Sequence, residues 1–302
     1  MGQLIGKFLF QPPEPPSYQY DNSMIWLKCP PVKEKKKGGG LLSSSESDPD
    51  FGLDSSSTTI SKRELQNCAV DVPGLFLPYN GSDLCLLYSH GNATDLGQMK
   101  PYLDTLRSFL KINVFSYEYQ GYGISRPHVK PTEARVNCSI EAAVEYLFNV
   151  KQIPYNKIIV FGTSLGTGPT TYIAAKDKYN FRGVILQSPF TSVVRIKFNK
   201  LPDAIDLFKN VDIIDKIECP VLIIHGKSDD VVPFEHGQIL FDKLQKKAQY
   251  KPLFIDYAGH NNIIEIMSME RYLKHLFKFI IYLNEYQQKL KQSQEAEAQV
   301  TN

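Results

Sequence analysis

Ser164 stands at the centre of a G-x-S-x-G pattern whose glycines are Gly162 and Gly166. The apolar run 157–162 predicts a strand before it, and the residues after it predict a helix. A turn between such a strand and helix is so tight that only glycine fits beside the serine, and it lifts the hydroxyl above the sheet edge. The helix N-terminus favours developing negative charge. The pattern therefore predicts a serine nucleophile, although a five-residue match also occurs by chance.

A serine hydroxyl needs a general base near neutral pH, and the base needs a carboxylate that orients it. Asp229 follows the predicted strand 220–226 in the phrase HGKSDDVVP, and His260 follows the predicted strand 251–257 in the phrase AGHNN. The carboxyl ends of parallel strands share one edge of a sheet, where open α/β sheets build their sites. We therefore predict Ser164, Asp229 and His260 as nucleophile, acid and base.

Alternatives remain for the acid and the base. Asp230 adjoins Asp229 and is the main rival for the acid, whereas Asp256 is a weaker candidate because it lies within a predicted strand. The predicted acid could also be an ordinary loop carboxylate, and the predicted base a capping residue. His90 and His225, each in a His-Gly pair, are assigned to packing rather than catalysis.

The oxyanion of a tetrahedral intermediate needs two hydrogen-bond donors. The backbone N–H of Leu165 is the predicted first donor, because it follows the nucleophile. The turn 90–93 follows a predicted strand and opens a helix, so the backbone N–H of Asn92 or Ala93 is the predicted second donor. A plain helix-start turn is the alternative, and both interpretations can hold together.

Six short runs of β-branched and apolar residues predict the strands that position these residues. They span 84–89, 113–119, 157–162, 183–188, 220–226 and 251–257. Apolar residues at helical spacing lie between them. This alternation predicts an α/β domain with a mostly parallel, doubly wound sheet that is covered on both faces. Before it, residues 75–77, the turn dipeptide Asn80-Gly81 and the strand from Leu84 predict an antiparallel hairpin as a lead-in.

The connection between the fourth and fifth of these strands is short. Forty residues separate Ser188 from Asp229, and a strand uses part of them. This leaves little room for a lid domain, so we expect a minimal cap. An open site would suit an acyl chain presented on a protein surface better than a small metabolite.

Composition narrows the class of protein. The chain has 302 residues with 34 Lys and Arg against 32 Asp and Glu, and this balance argues against a nucleic-acid binder. Its five cysteines form no C-x-x-C pair, which argues against a disulfide framework or zinc site and favours a reducing, cytosolic compartment. The sequence contains no run of 18 apolar residues, so we expect no membrane-spanning helix. We expect no metal, no organic cofactor and a monomer.

Changes in composition divide the chain into four segments. Residues 1–32 hold an apolar patch, prolines and aromatics, and predict a membrane-associating segment and a strap that docks on the main domain. Residues 33–62, rich in Lys, Gly and Ser, predict a disordered linker. We expect the α/β domain over 63–285 and a polar tail over 286–302.

Five further phrases accompany the serine pattern, and two of them, SHGNA-x-DLGQM and SPFTS, are much more specific than it. The five phrases are SHGNATDLGQM (89–99), FSYEYQGYGISR (115–126), ILQSPFTS (185–192), VLIIHGKSDDVV (221–232) and AGHNN (258–262). Together they resemble the alpha/beta-hydrolase-domain-containing protein 17 family. The resemblance implies an α/β-hydrolase fold and a membrane-associated serine hydrolase that removes palmitate from cysteine thioesters of membrane proteins. It assigns nucleophile, acid and base to Ser164, Asp229 and His260, and we expect a peripheral protein on the cytosolic face of plasma or endosomal membranes.

The chain departs from the family pattern at three places. The family usually has glutamine where Thr163 stands, and it tends to have an acid where Asn262 stands. Its N-terminal cluster of palmitoylated cysteines has no counterpart, since no cysteine precedes Cys29. The anchoring mechanism of the family therefore does not carry over.

A different lipid signal stands at the N-terminus. Gly2 is a candidate myristoylation site, although residue 6 is glycine where the pattern wants serine or threonine. The apolar residues within 4–10 and the lysines at 33 and 35–37 would supply the second signal that stable membrane binding needs. The alternative is an apolar terminus that docks on the protein, followed by a solvated lysine run.

Other functions fit the same residues. The predicted triad would also serve a carboxylesterase or a lipase, because it does not choose between a thioester and an oxygen ester. A small peptidase and a non-catalytic membrane adaptor that keeps the fold are further alternatives.

Overall fold

The computed structural model describes residues 10–21, 24–32, 69–125, 129–196 and 206–300. In this part of the chain, eight strands form one sheet in the order β1-β2-β4-β3-β5-β6-β7-β8. The strands are β1 Ile25–Leu27, β2 Val72–Leu77, β3 Cys85–Ser89, β4 Asn113–Tyr117, β5 Ile158–Thr163, β6 Gly183–Gln187, β7 Val221–Gly226 and β8 Leu253–Ile255.

Strands β3 to β8 are parallel to one another, and β1 and β2 extend the sheet antiparallel on the β4 side. Residues in strand β3 are buried on both faces, as a central strand of a parallel sheet requires. Successive side chains point to opposite faces, so Leu86 packs into one core and Leu87 into the other. The predicted fold class, with its antiparallel lead-in, is confirmed.

The predicted hairpin between β2 and β3 is wrong. Strand β2 pairs instead with β4, with Leu77 opposite Val114, and β4 lies between β2 and β3. The turn at Asn80-Gly81 does form, and Gly81 has a φ of +88° there. The connection between the two strands spans seven residues, however, so it does not force them to pair as a two-residue turn would. The buried strand β3 gains parallel neighbours on both sides.

Helices cover both faces of the sheet. Among the described residues they are α1 Leu96–Leu110, α2 Glu133–Asn149, α3 Thr167–Ala174, α4 Phe234–Lys243, α5 Ile263–Met267 and α6 Met269–Val300. One core holds apolar residues of α1 and α6, and the other holds apolar residues of α2, α3 and α4. Helix α6 continues past the predicted domain boundary at residue 285. None of the helices described is long and apolar enough to cross a bilayer.

The connection from β6 to β7 carries short turns only, so far as the structure describes it. Three 3-10 turns lie at Val194–Ile196, Asn210–Asp212 and Ile214–Lys216, and residues 197–205 lie outside the described residues. The described parts of this connection, 188–196 and 206–220, hold no α-helix or strand. The minimal cap stays a prediction for the connection as a whole.

The described residues near the N-terminus lie against the domain. Strand β1 pairs with β2, and Leu27 and Cys29 are buried in the core. Farther toward the N-terminus, the Phe10 ring packs edge-on against Phe208 at 6.3 Å between centroids. This segment therefore contributes to the core of the domain.

Candidate active site

Ser164 lies at the turn between β5 and α3, above the carboxyl edge of the sheet. Its φ of +50° places a non-glycine residue in the left-handed region, a conformation that costs about 1–3 kcal/mol. An added Cβ at Gly162 would overlap the carbonyl oxygen of Gly166, and one at Gly166 would overlap the carbonyl oxygen of Ser89. The close packing of this turn explains why both flanking positions are glycine.

The structure brings together the three predicted residues. His260 Nε2 lies 2.9 Å from Ser164 Oγ, and His260 Nδ1 lies 2.8 Å from Asp229 Oδ2. The side chain of Asp229 is fully buried, and that of His260 is 10% exposed. An imidazole held in this way can take a proton from the hydroxyl on one side while the carboxylate fixes its orientation on the other.

Asp229 is held as a carboxylate by its surroundings. Its Oδ1 accepts hydrogen bonds from the backbone N–H of Val231 at 3.0 Å and of Val232 at 2.8 Å. Burial alone would raise the pKa of Asp229, but hydrogen bonds from His225, His260 and the Val232 N–H outweigh it and hold the pKa well below its usual value. The group is therefore charged near neutral pH and can stabilise a protonated His260.

The two rival carboxylates, Asp230 and Asp256, have different surroundings from Asp229. Asp230 is exposed, and Asp256 pairs with Lys227, with 2.7 Å between Oδ1 and Nζ. The geometry thus favours Asp229 over both.

His225 does more than the packing predicted for it. Its fully buried Nε2 lies 2.9 Å from the carbonyl oxygen of Val232 and 3.3 Å from Asp229 Oδ2. The imidazole therefore braces the loop that carries the acid. The position of this histidine at the end of β7, four residues before Asp229, was the available sequence signal.

The predicted second oxyanion element adjoins the nucleophile. An added Cβ at Gly91 would lie 3.9 Å from the Ser164 Cβ, so the backbone of the turn passes beside the serine. Asn92 Oδ1 accepts a hydrogen bond from the Tyr122 hydroxyl at 2.7 Å, which directs its side chain into the protein. Ala93 has a φ of +53°. The N–H groups of Asn92 and Ala93 both stay candidates for the second donor, and the N–H of Leu165 stays the predicted first donor.

His90 is structural, as predicted, and its partner Glu118 was not foreseen. Both side chains are fully buried, with 3.3 Å between His90 Nε2 and Glu118 Oε2. The His90 ring also packs on Tyr119 at 4.2 Å between centroids, and the Tyr119 hydroxyl donates to the His90 carbonyl. Glu118 follows strand β4 directly, at the edge where functional residues were expected.

Asn262 closes the turn that carries the base. Its Oδ1 accepts a hydrogen bond from the Gly259 N–H at 2.7 Å. An acid at this position could accept the same bond, so the departure from the family pattern preserves the turn.

The chain is similar to known proteins in sequence and in fold. The model of the prolyl oligopeptidase family matches residues 139–284. Alpha/beta hydrolase domain-containing protein 17B of Homo sapiens is 43% identical over 197 residues, which are 65% of each chain. Alpha/beta hydrolase domain-containing protein aho-3 of Caenorhabditis elegans is 33% identical over 281 residues, covering 92% of this chain and 77% of that protein. The chain belongs to the alpha/beta-hydrolase-domain-containing protein 17 family.

The match to the Homo sapiens member of this family spans just under two thirds of that protein's length. Among solved structures, the ferulic-acid-bound Est1E of Butyrivibrio proteoclasticus aligns with a TM-score of 0.57 at 18% identity, over 72% of this chain and 96% of its own. The esterase Pf2001 of Pyrococcus furiosus aligns with a TM-score of 0.57 at 20% identity, over 71% of this chain and 88% of the esterase. These two share the fold, and this family member is an α/β hydrolase of the serine-hydrolase type.

The predicted lipid signal lies outside the described residues except for Phe10, whose predicted membrane insertion is wrong because its ring is buried against Phe208. The parts outside the described residues include Gly2, the lysines at 33 and 35–37, and the predicted linker 33–62.

Proposed function

We propose that this protein removes palmitate from S-acylated cysteines of membrane-associated proteins through an acyl-enzyme. One observation carries the chemistry, namely His260 placed between Ser164 Oγ and Asp229 Oδ2 at hydrogen-bond distance from each. The substrate class rests on the family resemblance.

The first half of the reaction forms the acyl-enzyme. Ser164 Oγ attacks the thioester carbonyl carbon while His260 Nε2 takes the hydroxyl proton, and Asp229 stabilises the imidazolium. The carbonyl oxygen becomes an oxyanion that accepts hydrogen bonds from the Leu165 N–H and from the turn 91–93. The C–S bond then breaks, and the leaving cysteine sulfur takes the proton from His260.

The second half releases the acid. A water molecule gives its proton to His260 and attacks the acyl carbonyl. The ester bond to Ser164 breaks, the serine oxygen regains the proton, and palmitate leaves. Atoms and charges balance without a metal or an organic cofactor.

Exposed apolar side chains close in sequence to the acid and the base support a lipid-like substrate. Val231 is 50% exposed on the loop of the acid, Tyr257 is 85% exposed just before the base, and Ile266 is 46% exposed on α5 just after it. Exposed apolar groups near a reactive centre are suited to contact an acyl chain or a membrane surface.

The proposal includes peripheral binding to the cytosolic face of membranes through residues 1–9, since Phe10, Leu27 and Cys29 are buried in the core of the domain. Lipidation at Gly2 and the lysines at 33 and 35–37 would act together, since one acyl chain gives only marginal binding. Gly2→Ala should move the protein from the membrane fraction to the soluble fraction in cells. Unchanged sedimentation with membranes would remove Gly2 from the proposal.

The test of the activity compares a palmitoylated cysteine peptide with the matching serine ester, using the wild type and Ser164→Ala. We expect thioester cleavage that disappears in Ser164→Ala. Cleavage of the oxygen ester alone would indicate a carboxylesterase or lipase, and cleavage of neither would leave the adaptor function.

A further inference from the structure

Residues 10–21, here called the strap, lie across the turn that supplies the predicted oxyanion donor. The backbone N–H of Gln11 donates to Asn92 Oδ1 at 3.0 Å. Six residues later, the backbone N–H of Ser17 donates to Asp95 Oδ2 at 2.7 Å. The strap thus contacts the middle and the end of the segment 90–95.

Asp95 joins the strap to the first helix. It is the N-cap of α1 and is fully buried, and its Oδ1 accepts a hydrogen bond from the Gln98 N–H at 3.1 Å. The Ser17 hydroxyl donates to the same oxygen. One carboxylate therefore holds the helix start and the strap in fixed relation to each other.

Glu118 joins the strap to His90 and to Leu96, the first residue of α1. Its Oε1 accepts hydrogen bonds from the Leu96 N–H at 2.7 Å and from the Tyr18 hydroxyl at 2.9 Å, and its Oε2 faces His90. Burial, followed by the charge of Glu118, raises the pKa of the Tyr18 phenol, which keeps it a donor. Without Tyr18, this buried carboxylate would lose one of its partners, a costly change in a low-dielectric interior.

The domain surface is shaped to receive the strap. An added Cβ at Gly97, in the first turn of α1, would overlap Ser17 Oγ and would lie 2.9 Å from the Tyr18 Cβ. An added Cβ at Gly123 would overlap the Tyr18 hydroxyl. Two glycines thus leave room for two consecutive strap residues, Ser17 and Tyr18.

The N-terminal end of the strap reaches toward the nucleophile helix. Phe10 packs on Phe208, and an added Cβ at Gly168 of α3 would lie 2.5 Å from a Phe208 ring carbon. The strap therefore contacts the turn 90–95 directly and, through Phe208, the helix that follows Ser164.

We propose that Ser17 and Tyr18 are positioning residues that hold the turn 91–93 at the distance from Ser164 needed for oxyanion stabilisation. This inference rests on the hydrolytic chemistry proposed above, and not on the thioester preference. Oxyanion donors act only within about 2.7–3.1 Å of the developing charge, and each one contributes about 10²–10³ in rate. A loosened turn should therefore lower kcat much more than it weakens substrate binding.

The test uses the full chain with Gly97→Ala, which displaces the strap without altering Asp95, Glu118 or the turn itself. Alanine is favourable in a helix, so the substitution should not disturb α1. Ser108→Ala is the matched control, because Ser108 is exposed in the last turn of the same helix, whereas Gly97 lies in the first turn. Both variants are assayed on an oxygen ester and on a thioester. Each rate is divided by the concentration of active sites, which is measured by titration with a fluorophosphonate.

We expect Gly97→Ala to lower kcat at least about tenfold and to leave KM within about twofold, as loss of part of an oxyanion donor would. A trifluoromethyl ketone, whose serine adduct carries the oxyanion, should bind more weakly by the same factor as kcat falls. Ser108→Ala should behave as the wild type. A kcat for Gly97→Ala within twofold of the wild type would overturn the proposal, as would a fall in kcat with unchanged inhibition by the ketone.

A second variant keeps the test decisive if Gly97→Ala does not fold. The double substitution Ser17→Ala and Tyr18→Phe removes two side-chain hydrogen bonds and adds no bulk, and the same two results are expected. If the wild type cleaves neither ester, the proposed function fails separately. The rate of fluorophosphonate labelling of Ser164 then reports on the strap, with slower labelling in the variants supporting the proposal and equal labelling overturning it.

Discussion

His225 Nε2 lies 3.3 Å from Asp229 Oδ2, so the acid of the candidate triad faces two imidazoles. His260, whose side chain is 10% exposed, contacts the same oxygen at 2.8 Å, whereas the side chain of His225 is fully buried. Both imidazoles therefore hold the acid, and His225 also holds its loop, because His225 Nε2 contacts the Val232 carbonyl oxygen.

Replacement of His225 by phenylalanine should lower kcat by about 10- to 100-fold, since a small displacement of a catalytic group has effects of this size. His225→Gln is the matched variant, because its amide can donate a hydrogen bond in place of the Nε2 group. Steady-state kinetics on an ester substrate should rank the wild type above His225→Gln, and His225→Gln above His225→Phe. Equal activity of all three proteins would show that His225 serves packing only.

Asp229→Asn should lower kcat by about 10⁴-fold, because the amide favours the wrong tautomer of the base. Asp230→Asn is the control, since Asp230 is exposed beside it. We expect the control to keep activity within a factor of two in the same assay. A larger loss in Asp230→Asn than in Asp229→Asn would transfer the acid role to Asp230.

The pKa of Asp229 also predicts how stability depends on pH. It is lower in the folded chain than its usual 3.8, so unfolding takes up a proton in acid. The contribution of the carboxylate is therefore fully present above about pH 5 and is lost as the pH falls through and below the usual value. The difference in melting temperature between the wild type and Asp229→Asn should shrink as the pH is lowered from 7 toward 3. A constant difference over this range would contradict the lowered pKa.

Gly166→Ala should destabilise the fold by about 1–3 kcal/mol or more, because its Cβ would overlap the Ser89 carbonyl oxygen. Gly259→Ala is the comparison, since the nearest atom to its added Cβ is the Ser228 carbonyl oxygen at an ordinary 3.5 Å. Urea denaturation of both variants measures the two free energies of unfolding. Equal losses would mean that the serine turn relaxes more easily than its packing indicates.

The sequence predicted the triad because Ser164 and Asp229 follow buried strands and His260 follows the edge strand β8. Runs such as 157–162 and 220–226 mark strands locally, and parallel strands must end at one edge. The order of these residues and the glycines around Ser164 then limit the roles they can take.

Contacts between segments that are distant in the sequence could not be predicted in the same way. The pairing of β2 with β4 depends on which strand can be buried on both faces, and a turn dipeptide at residues 80–81 does not encode that choice. The roles of His225 and Glu118 depend on what the fold brings within 3.3 Å of them. The contacts of the strap with Asp95 join residues 78 positions apart.

The central claim is that Ser164 carries the palmitoyl group during turnover. The most direct measurement mixes the wild-type protein with a palmitoylated cysteine peptide, quenches with acid within one turnover, and locates the acyl group by mass spectrometry of the digested protein. We expect palmitate in ester linkage on Ser164, and no such adduct in Ser164→Ala. Release of palmitate without an adduct on Ser164, or with an adduct on another residue, would contradict the account.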